Sequence, residues 1–359
     1  MHCNRLVVGA WMVDLSEDVV RFGIIGCGDV CEQKSGPALY KAPGSRLVGV
    51  WRRDASKASD YATRHGEAAG YNIRVYGSAE ELCSDSEVDV VYVATPPSSH
   101  CCYTVLAARK GKAVYVEKPL ARTAGECEEM MKVCANNDVP LFCGYYRRYL
   151  PKFIAVKEAL PRLGEISELR IRLTQRRYVP GKVSPCHWRV EPELAGGGLF
   201  MDLASHQLDL VDWLLGPLSD VSGLACRVAP RPAEDRRSTK AAEDNVRLFG
   251  RASEVLVSGS WNFAASERCD EMEIVGPLAV IRFSVFNDKP PILVEADNKS
   301  EEIIHHEPQP EHVHYPIVCC IVQDVLAWKN RSKECATSTS CSATGTAAAR
   351  TNSVLDTAL

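Results

Sequence analysis

Hydrophobic and polar positions divide this chain into two halves with different periods. In the first half, short unbroken apolar runs alternate with helical segments. Val20, Phe22, Ile24 and Ile25 open the series as a buried strand, and that run ends at once in Gly26-Cys27-Gly28. A helix is expected from there through Tyr40, stopped by Pro43-Gly44. Arg46–Trp51 reads as a second buried strand, 54–65 as a helix and 73–76 as a short strand. Ser78-Ala79-Glu80-Glu81 forms a capping box that opens a helix. A strand over 88–94, a helix ending at Lys110, a strand over 113–116, a second capping box at Thr123-Ala124-Gly125-Glu126 and a strand over 139–143 complete the series. Continuous apolar strands alternating with helices indicate a parallel sheet covered on both faces, a Rossmann-type α/β domain.

From Gly144 the period changes. A helix is expected from Pro151 to near Leu160. Ile166–Gln175 (ISELRIRLTQ) then places apolar residues at every second position, and further such stretches follow at 220–229, 246–249, 255–263, 271–275 and 280–283. A period of two describes half-solvated strands, so this half predicts an α+β domain with a large, mostly antiparallel, open-faced sheet. The organisation expected is an N-terminal extension (1–20), a Rossmann domain (21–143) and a C-terminal α+β domain (144–359).

Composition narrows the classes. The chain has 359 residues, which suits two domains, and a net charge of −4 with no basic stripe, which argues against a nucleic-acid partner. No apolar run approaches the roughly 20 residues of a membrane span. There are sixteen cysteines but no C-x-x-C spacing, so neither a zinc ribbon nor a thioredoxin-type site is indicated. Several lie in apolar segments as small buried hydrophobes, which predicts a reduced, cytoplasmic protein. Residues 1–18 are expected to form a loosely packed extension; as a secretory signal they are poor.

Candidate chemistry collects at strand ends. A buried strand that ends in glycines is what a phosphate-gripping turn needs: Gly26 for the turn and Gly28 for close backbone approach, followed by Asp29 and Val30 opening a helix towards a pyrophosphate. The next strand ends in Arg52-Arg53-Asp54. Arg52 stands where an acidic residue would take the ribose hydroxyls of NAD, and an arginine there pairs with the 2′-phosphate of NADP; the alternative is a solvated surface pair. Thr95, Pro96 and His100 belong to a stiff loop expected on the nicotinamide side. Glu117-Lys118-Pro119 places a lysine directly after a buried strand, either facing a site or snorkelling out of the sheet.

In the second half, Gly196–Gly216 reads as a buried helix begun by glycines, with Asp202, His206 and Asp209 at i, i+4 and i+7 on one stripe. A histidine beside a carboxylate is a tunable proton acceptor; a core histidine satisfied by its neighbours is the plain alternative. No third ligand is evident, so no metal is expected. Arg148, Tyr149, His187, Trp188 and Arg189 are candidates for substrate contact.

Taken together, GIIGCGDV, VYVATPPSSH, VEKP, GYYRRYLP and GGGLFMDLASHQLDLVDWLLG, in this order, resemble the glucose–fructose oxidoreductase/inositol dehydrogenase (Gfo/Idh/MocA) family from about Arg21 to Asp356. The resemblance implies NAD(P) as cofactor, with NADP preferred through Arg52 and Arg53. It implies a sugar-, cyclitol- or dihydrodiol-like substrate, and a homodimer or homotetramer built through the C-terminal sheet. It places the catalytic lysine on Lys118, the helix aspartate and histidine on Asp202 and His206, Glu117 near the nicotinamide ribose, and a cis bond at Lys118-Pro119. Cys31 departs from the third glycine of the fingerprint. In the mechanism so implied, His206 takes the hydroxyl proton, Asp202 orients its imidazole and Lys118 binds the reacting oxygen. A catalytically inactive nucleotide-binding sensor or scaffold, and a metal-dependent lyase or hydrolase, are the competing classes.

Overall fold

The structure, a computed structural model, describes residues 19–176, 187–228, 242–297 and 300–337; of His187 and residues 333–337 it describes the backbone only. The expected extension at the N-terminus and the stretch 345–356 lie outside these residues.

Six parallel strands build the first sheet: β1 (Val20–Ile25), β2 (Ser45–Trp51), β3 (Arg74–Val75), β4 (Val90–Val93), β5 (Ala113–Val116) and β6 (Leu141–Cys143), in the order β3-β2-β1-β4-β5-β6. The order reverses at β1, so the crevice at the carboxyl ends of β1 and β4 is where such a sheet takes a ligand. β4, β5 and β6 are buried at every residue, as expected of strands covered on both faces. The helices of this half are α1 (Asp29–Gln33), α2 (Ala38–Lys41), α3 (Ala55–Ala69), α4 (Ala79–Ser84), α5 (His100–Arg109) and α6 (Ala124–Asn136). The expected single helix after the glycine turn is therefore two short pieces, because Gly36-Pro37 interrupts it. Ser78 and Thr123 cap α4 and α6 by accepting the amides of Glu81 and Glu126 at 3.0 and 3.2 Å. The Glu81 and Glu126 carboxylates reach back to the amides of Gly77 and Arg122, one residue before the position of the standard box.

The second half begins with α7 (Pro151–Ala159) and β7 (Glu168–Arg176). Next come α8 (Pro192–Ala195), a π-helical turn over Phe200–Ala204, and α9 (Ser205–Leu215). The strands are β8 (Leu218–Cys226), β9 (Asn245–Ala252), β10 (Val255–Ala265), β11 (Cys269–Val275), β12 (Ala279–Phe283), β13 (Ile292–Glu295) and β14 (Glu301–Ile303). With β7 they form one sheet, β14-β13-β12-β11-β7-β10-β9-β8. All its pairs are antiparallel except β7–β10. β13 and β14, beyond Pro290-Pro291, are additions to the expected set. β10 alternates buried and open positions along its length, and the outer face carries exposed Leu224, Phe249 and Leu256.

A last helix, α10 (Tyr315–Thr337), returns to the first sheet. Trp328 Nε1 donates to the Asp138 carbonyl at 2.8 Å and Lys329 pairs with Asp89 at 3.0 Å. Buried polar contacts hold α9, the helix that follows the π-turn. Trp261, wholly buried on β10, donates to Gln207 Oε1 at 2.7 Å. Arg148, buried in the 3-10 turn Tyr146–Tyr149, pairs with Asp209 at 2.5 Å and Asp212 at 3.1 Å.

Candidate active site

A cleft of about 890 Å³ runs from the glycine turn to α9 between the two sheets. Its first wall is backbone. Gly26 holds a left-handed φ of +91°, and a Cβ there would lie 2.6 Å from Thr95 Cγ2, so only glycine fits. At Gly28 an added Cβ would meet nothing nearer than the Gly26 carbonyl at 3.8 Å, which leaves the loop open to a group approaching from the cleft. α1 is only five residues long, so the turn's own amides, more than a helix dipole, are what this wall offers an anion. Thr95 Oγ1, on the facing loop after β4, is buried without a hydrogen-bond partner. An open glycine loop facing an unsatisfied hydroxyl fits a dinucleotide phosphate.

At the outer end, Arg52 Nη1 donates to the Cys27 carbonyl at 2.8 Å and so lies across the loop, with Arg53 beside it in the lining. Asp54, the acid of that strand end, caps α3 by accepting the Lys57 amide at 3.1 Å. Trp51 and Tyr103 form an edge-to-face pair, centroids 5.7 Å apart, in the same wall.

At the inner end stands Lys118, and the Lys118-Pro119 bond is cis. Its Nζ donates to Asp202 Oδ1 at 2.6 Å and to the Asp202 carbonyl at 2.8 Å. Asp202 thus serves Lys118, and no hydrogen bond joins it to His206 among the described residues. This corrects the expected Asp202–His206 pair, and the reason is local: the Asp202 carboxylate is already engaged by the Lys118 ammonium, which the end of β5 brings to it. Asp202 Oδ2 also lies 3.6 Å from Arg189 Nε.

His206 is buried, ringed by Tyr145, Tyr146 and Phe286 in edge-to-face contacts of 5.5 to 6.1 Å, with Nδ1 unpartnered. Burial first, then the charges of Lys118 and Arg147, hold its pKa well below the ordinary 6.5, so the imidazole is neutral at pH 7. Glu117, nearly buried, accepts the Tyr92 hydroxyl at 2.5 Å and the Lys118 amide at 3.2 Å. His314 completes this floor. It lies 2.6 Å from the Tyr115 hydroxyl through Nδ1 and 3.6 Å from Glu117 through Nε2, and Tyr146 packs on its ring at 4.6 Å. Burial pushes its pKa down to about 4.

The cleft therefore gathers Gly26, Gly28, Asp29, Val30, Arg52, Arg53, Thr95, Pro96, Glu117, Lys118, Trp188, Arg189, Asp202 and His206 from the expected set. Three expected residues lie elsewhere. His100 is wholly buried behind the cleft, its ring nitrogens against the carbonyls of Thr95, Pro119 and Leu120, so it ties two strand-end loops together. Arg148 is spent on Asp209 and Asp212. Tyr149 is partly buried outside the lining, where burial pushes its hydroxyl pKa upward. The side chain of His187 lies outside the described residues. Sequence reasoning missed Tyr146, Arg147, Phe286, Lys34 and His314, all of which line the cleft. A histidine at the mouth of an apolar closing helix was the available signal for His314. Among the described residues no three His, Cys, Asp or Glu side chains gather as a metal site, and no helix is long and apolar enough to cross a membrane.

Comparison with known proteins follows the same line. The profile of the oxidoreductase family with an NAD-binding Rossmann fold matches residues 20–145, and that of the Gfo/Idh/MocA C-terminal domain matches 153–282. Oxidoreductase P35 of Formosa agariphila is 36% identical over 306 residues, covering 84% of this chain and 89% of the relative. The 1,5-anhydro-D-fructose reductase of Ensifer adhaerens is 31% identical over 196 residues, 54% of this chain and 56% of the relative. A crystal structure of a putative NADPH-dependent oxidoreductase from Desulfitobacterium hafniense shares the fold with a TM-score of 0.72 at 20% identity, covering 86% of this chain and 88% of that one.

Proposed function

Because the chain belongs to the Gfo/Idh/MocA oxidoreductase family and is an NAD(P)-dependent dehydrogenase or reductase, we propose that it moves a hydride to or from one carbinol or carbonyl carbon of a sugar-, cyclitol- or dihydrodiol-like molecule, with Lys118 and His206 handling the proton. The observation that carries this reading is the geometry of Lys118. An ammonium has three N–H donors, and Asp202 takes two of them. The third is left for the oxygen of a bound substrate.

When bound, the nicotinamide supplies the hydride chemistry; the chain's own residues do the rest. Lys118 donates to the reacting oxygen and favours its alkoxide character. His206, neutral and shielded by three aromatic rings, accepts the hydroxyl proton in oxidation and returns it in reduction. Asp202 holds Lys118 in place. Arg52 across the glycine loop, with Asp54 committed to capping α3, favours NADP over NAD. The thiols of Cys27, Cys31, Cys83, Cys127, Cys134 and Cys143 are buried and free, which fits a reducing cytoplasm. Assembly through the second sheet belongs to the same reading, and sedimentation of the wild-type chain as a monomer would remove it.

The test is turnover with NADP or NAD over a panel of aldoses, hexuronates, inositols and 1,5-anhydro-D-fructose. Lys118→Ala and His206→Ala should each lose about 10²–10⁴-fold in kcat while retaining cofactor affinity. Near-normal turnover in both would sink the assignment. Cofactor binding without turnover of any panel member in the wild type would favour the inactive-sensor reading.

A further inference from the structure

Arg147 and Arg148 are neighbours in one short turn and have opposite surroundings. Arg148 faces inward and is spent on two aspartates. Arg147 stands on the cleft wall. Its Nη1 donates to the Val285 carbonyl at 2.6 Å, its Nε is buried with no partner, and no carboxylate among the described residues pairs with it. Three acids lie near it without pairing: Asp270 accepts the amides of Val285 and Phe286 at 3.0 and 2.6 Å, Asp209 is held by Arg148, and Asp288 is exposed. The guanidinium lies over Phe286 at 4.8 Å and Tyr146 at 5.2 Å, so its fork is fixed in direction.

The remaining charges at this end do not balance it. Lys118 and Arg189 share Asp202, and Glu117 is taken by Tyr92 and the Lys118 amide. Lys34 adds a further cation to the lining. A desolvated cation without a directly bonded carboxylate is costly, and a fixed planar fork matches a carboxylate with two parallel hydrogen bonds. Cofactor phosphates belong at the glycine loop and Arg52. Arg147 instead belongs to the wall around His206, since Tyr146 and Phe286 touch both side chains.

Resting on the oxidoreductase reading above, we propose that Arg147 anchors an anionic group of the substrate, so that the enzyme's substrate is an acidic sugar of the uronate or aldonate class. Its carboxylate is held by Arg147 while a carbinol carbon faces Lys118 and His206. Substrate choice then rests on this residue, and the neutral sugar of the same shape binds poorly because it leaves the guanidinium unbalanced.

The experiment is calorimetric titration of the protein–NADPH complex with D-glucuronate, D-galacturonate and D-gluconate. D-glucose, D-galactose and D-glucose 6-phosphate are titrated in parallel. At least one acid should bind more tightly than its neutral counterpart. Arg147→Gln should weaken that acid by about 10- to 100-fold and the neutral sugar by less than about threefold, with NADPH affinity unchanged. Arg147→Lys, which keeps the charge without the fork, should recover part of the loss and stands in if the glutamine variant fails to fold. Equal binding of acids and neutral sugars overturns the proposal, as does a preference for the sugar phosphate. So does a loss in Arg147→Gln that falls equally on both sugar classes or on NADPH. Failure of the wild type to bind NADPH at all would instead strike the oxidoreductase reading.

Discussion

Replacing Arg148 with methionine separates the structural from the substrate-binding reading of this arginine. The side chain is buried, and Asp209 and Asp212 converge on it at 2.5 and 3.1 Å. Removing one partner of such a pair strands buried carboxylates and costs about 3–5 kcal/mol. At about 2–4 °C per kcal/mol for a domain of this size, the melting temperature at pH 7 should fall by about 6–20 °C. The deficit should also depend on pH. Asp209 is pushed up to about 6 by burial even with Arg148 beside it. Its folded pKa lies above its unfolded value, so its contribution is fully present below the unfolded value and is lost as pH rises through the folded one. Without the guanidinium the carboxyl titrates higher still and is taken up neutral, so the deficit should shrink as pH falls from 7 to about 5.5. The assay is thermal unfolding followed by circular dichroism at both pH values. A variant that melts within about 2 °C of wild type, yet loses substrate affinity, would refute this reasoning and return Arg148 to the substrate pocket.

His314 is held at about 4 against an ordinary 6.5; a histidine depressed on folding stabilises fully above its unfolded pKa and loses that contribution as pH falls through the folded one. The wild type should therefore lose about 3 kcal/mol between pH 6.5 and about 4 through this residue alone. His314→Gln should show a shallower acid limb in a urea series, and an unchanged limb would contradict the assignment of burial as the cause.

Much of this was legible in the sequence because the physical signals were local. The runs ending at Ile25, Trp51 and Val116 are buried strands whatever surrounds them, and the glycine turn needs only its own backbone. The β-strand period over Ile166–Gln175 shows itself in the same way. What escaped depends on geometry that spacing does not encode. A 3-10 turn rotates successive side chains by about 120°, so nothing in Tyr146-Arg147-Arg148-Tyr149 says which arginine meets the cleft. Asp202 meets Lys118 across 84 positions of sequence, a pairing that only the docking of the two halves makes. His314 reaches the floor only because α10 folds back across the chain. His100 misleads for the converse reason: its loop borders the cleft, but its ring turns inward to three carbonyls.

The most direct test of the central claim is titration of the purified protein with NADPH and with NADH, repeated on Arg52→Asp. NADPH should bind more tightly than NADH, and Arg52→Asp should reverse the preference by removing the cation that lies across the glycine loop. If neither dinucleotide bound the wild-type protein, the loop would not be a cofactor cradle, and Lys118 and His206 would lose the roles given to them.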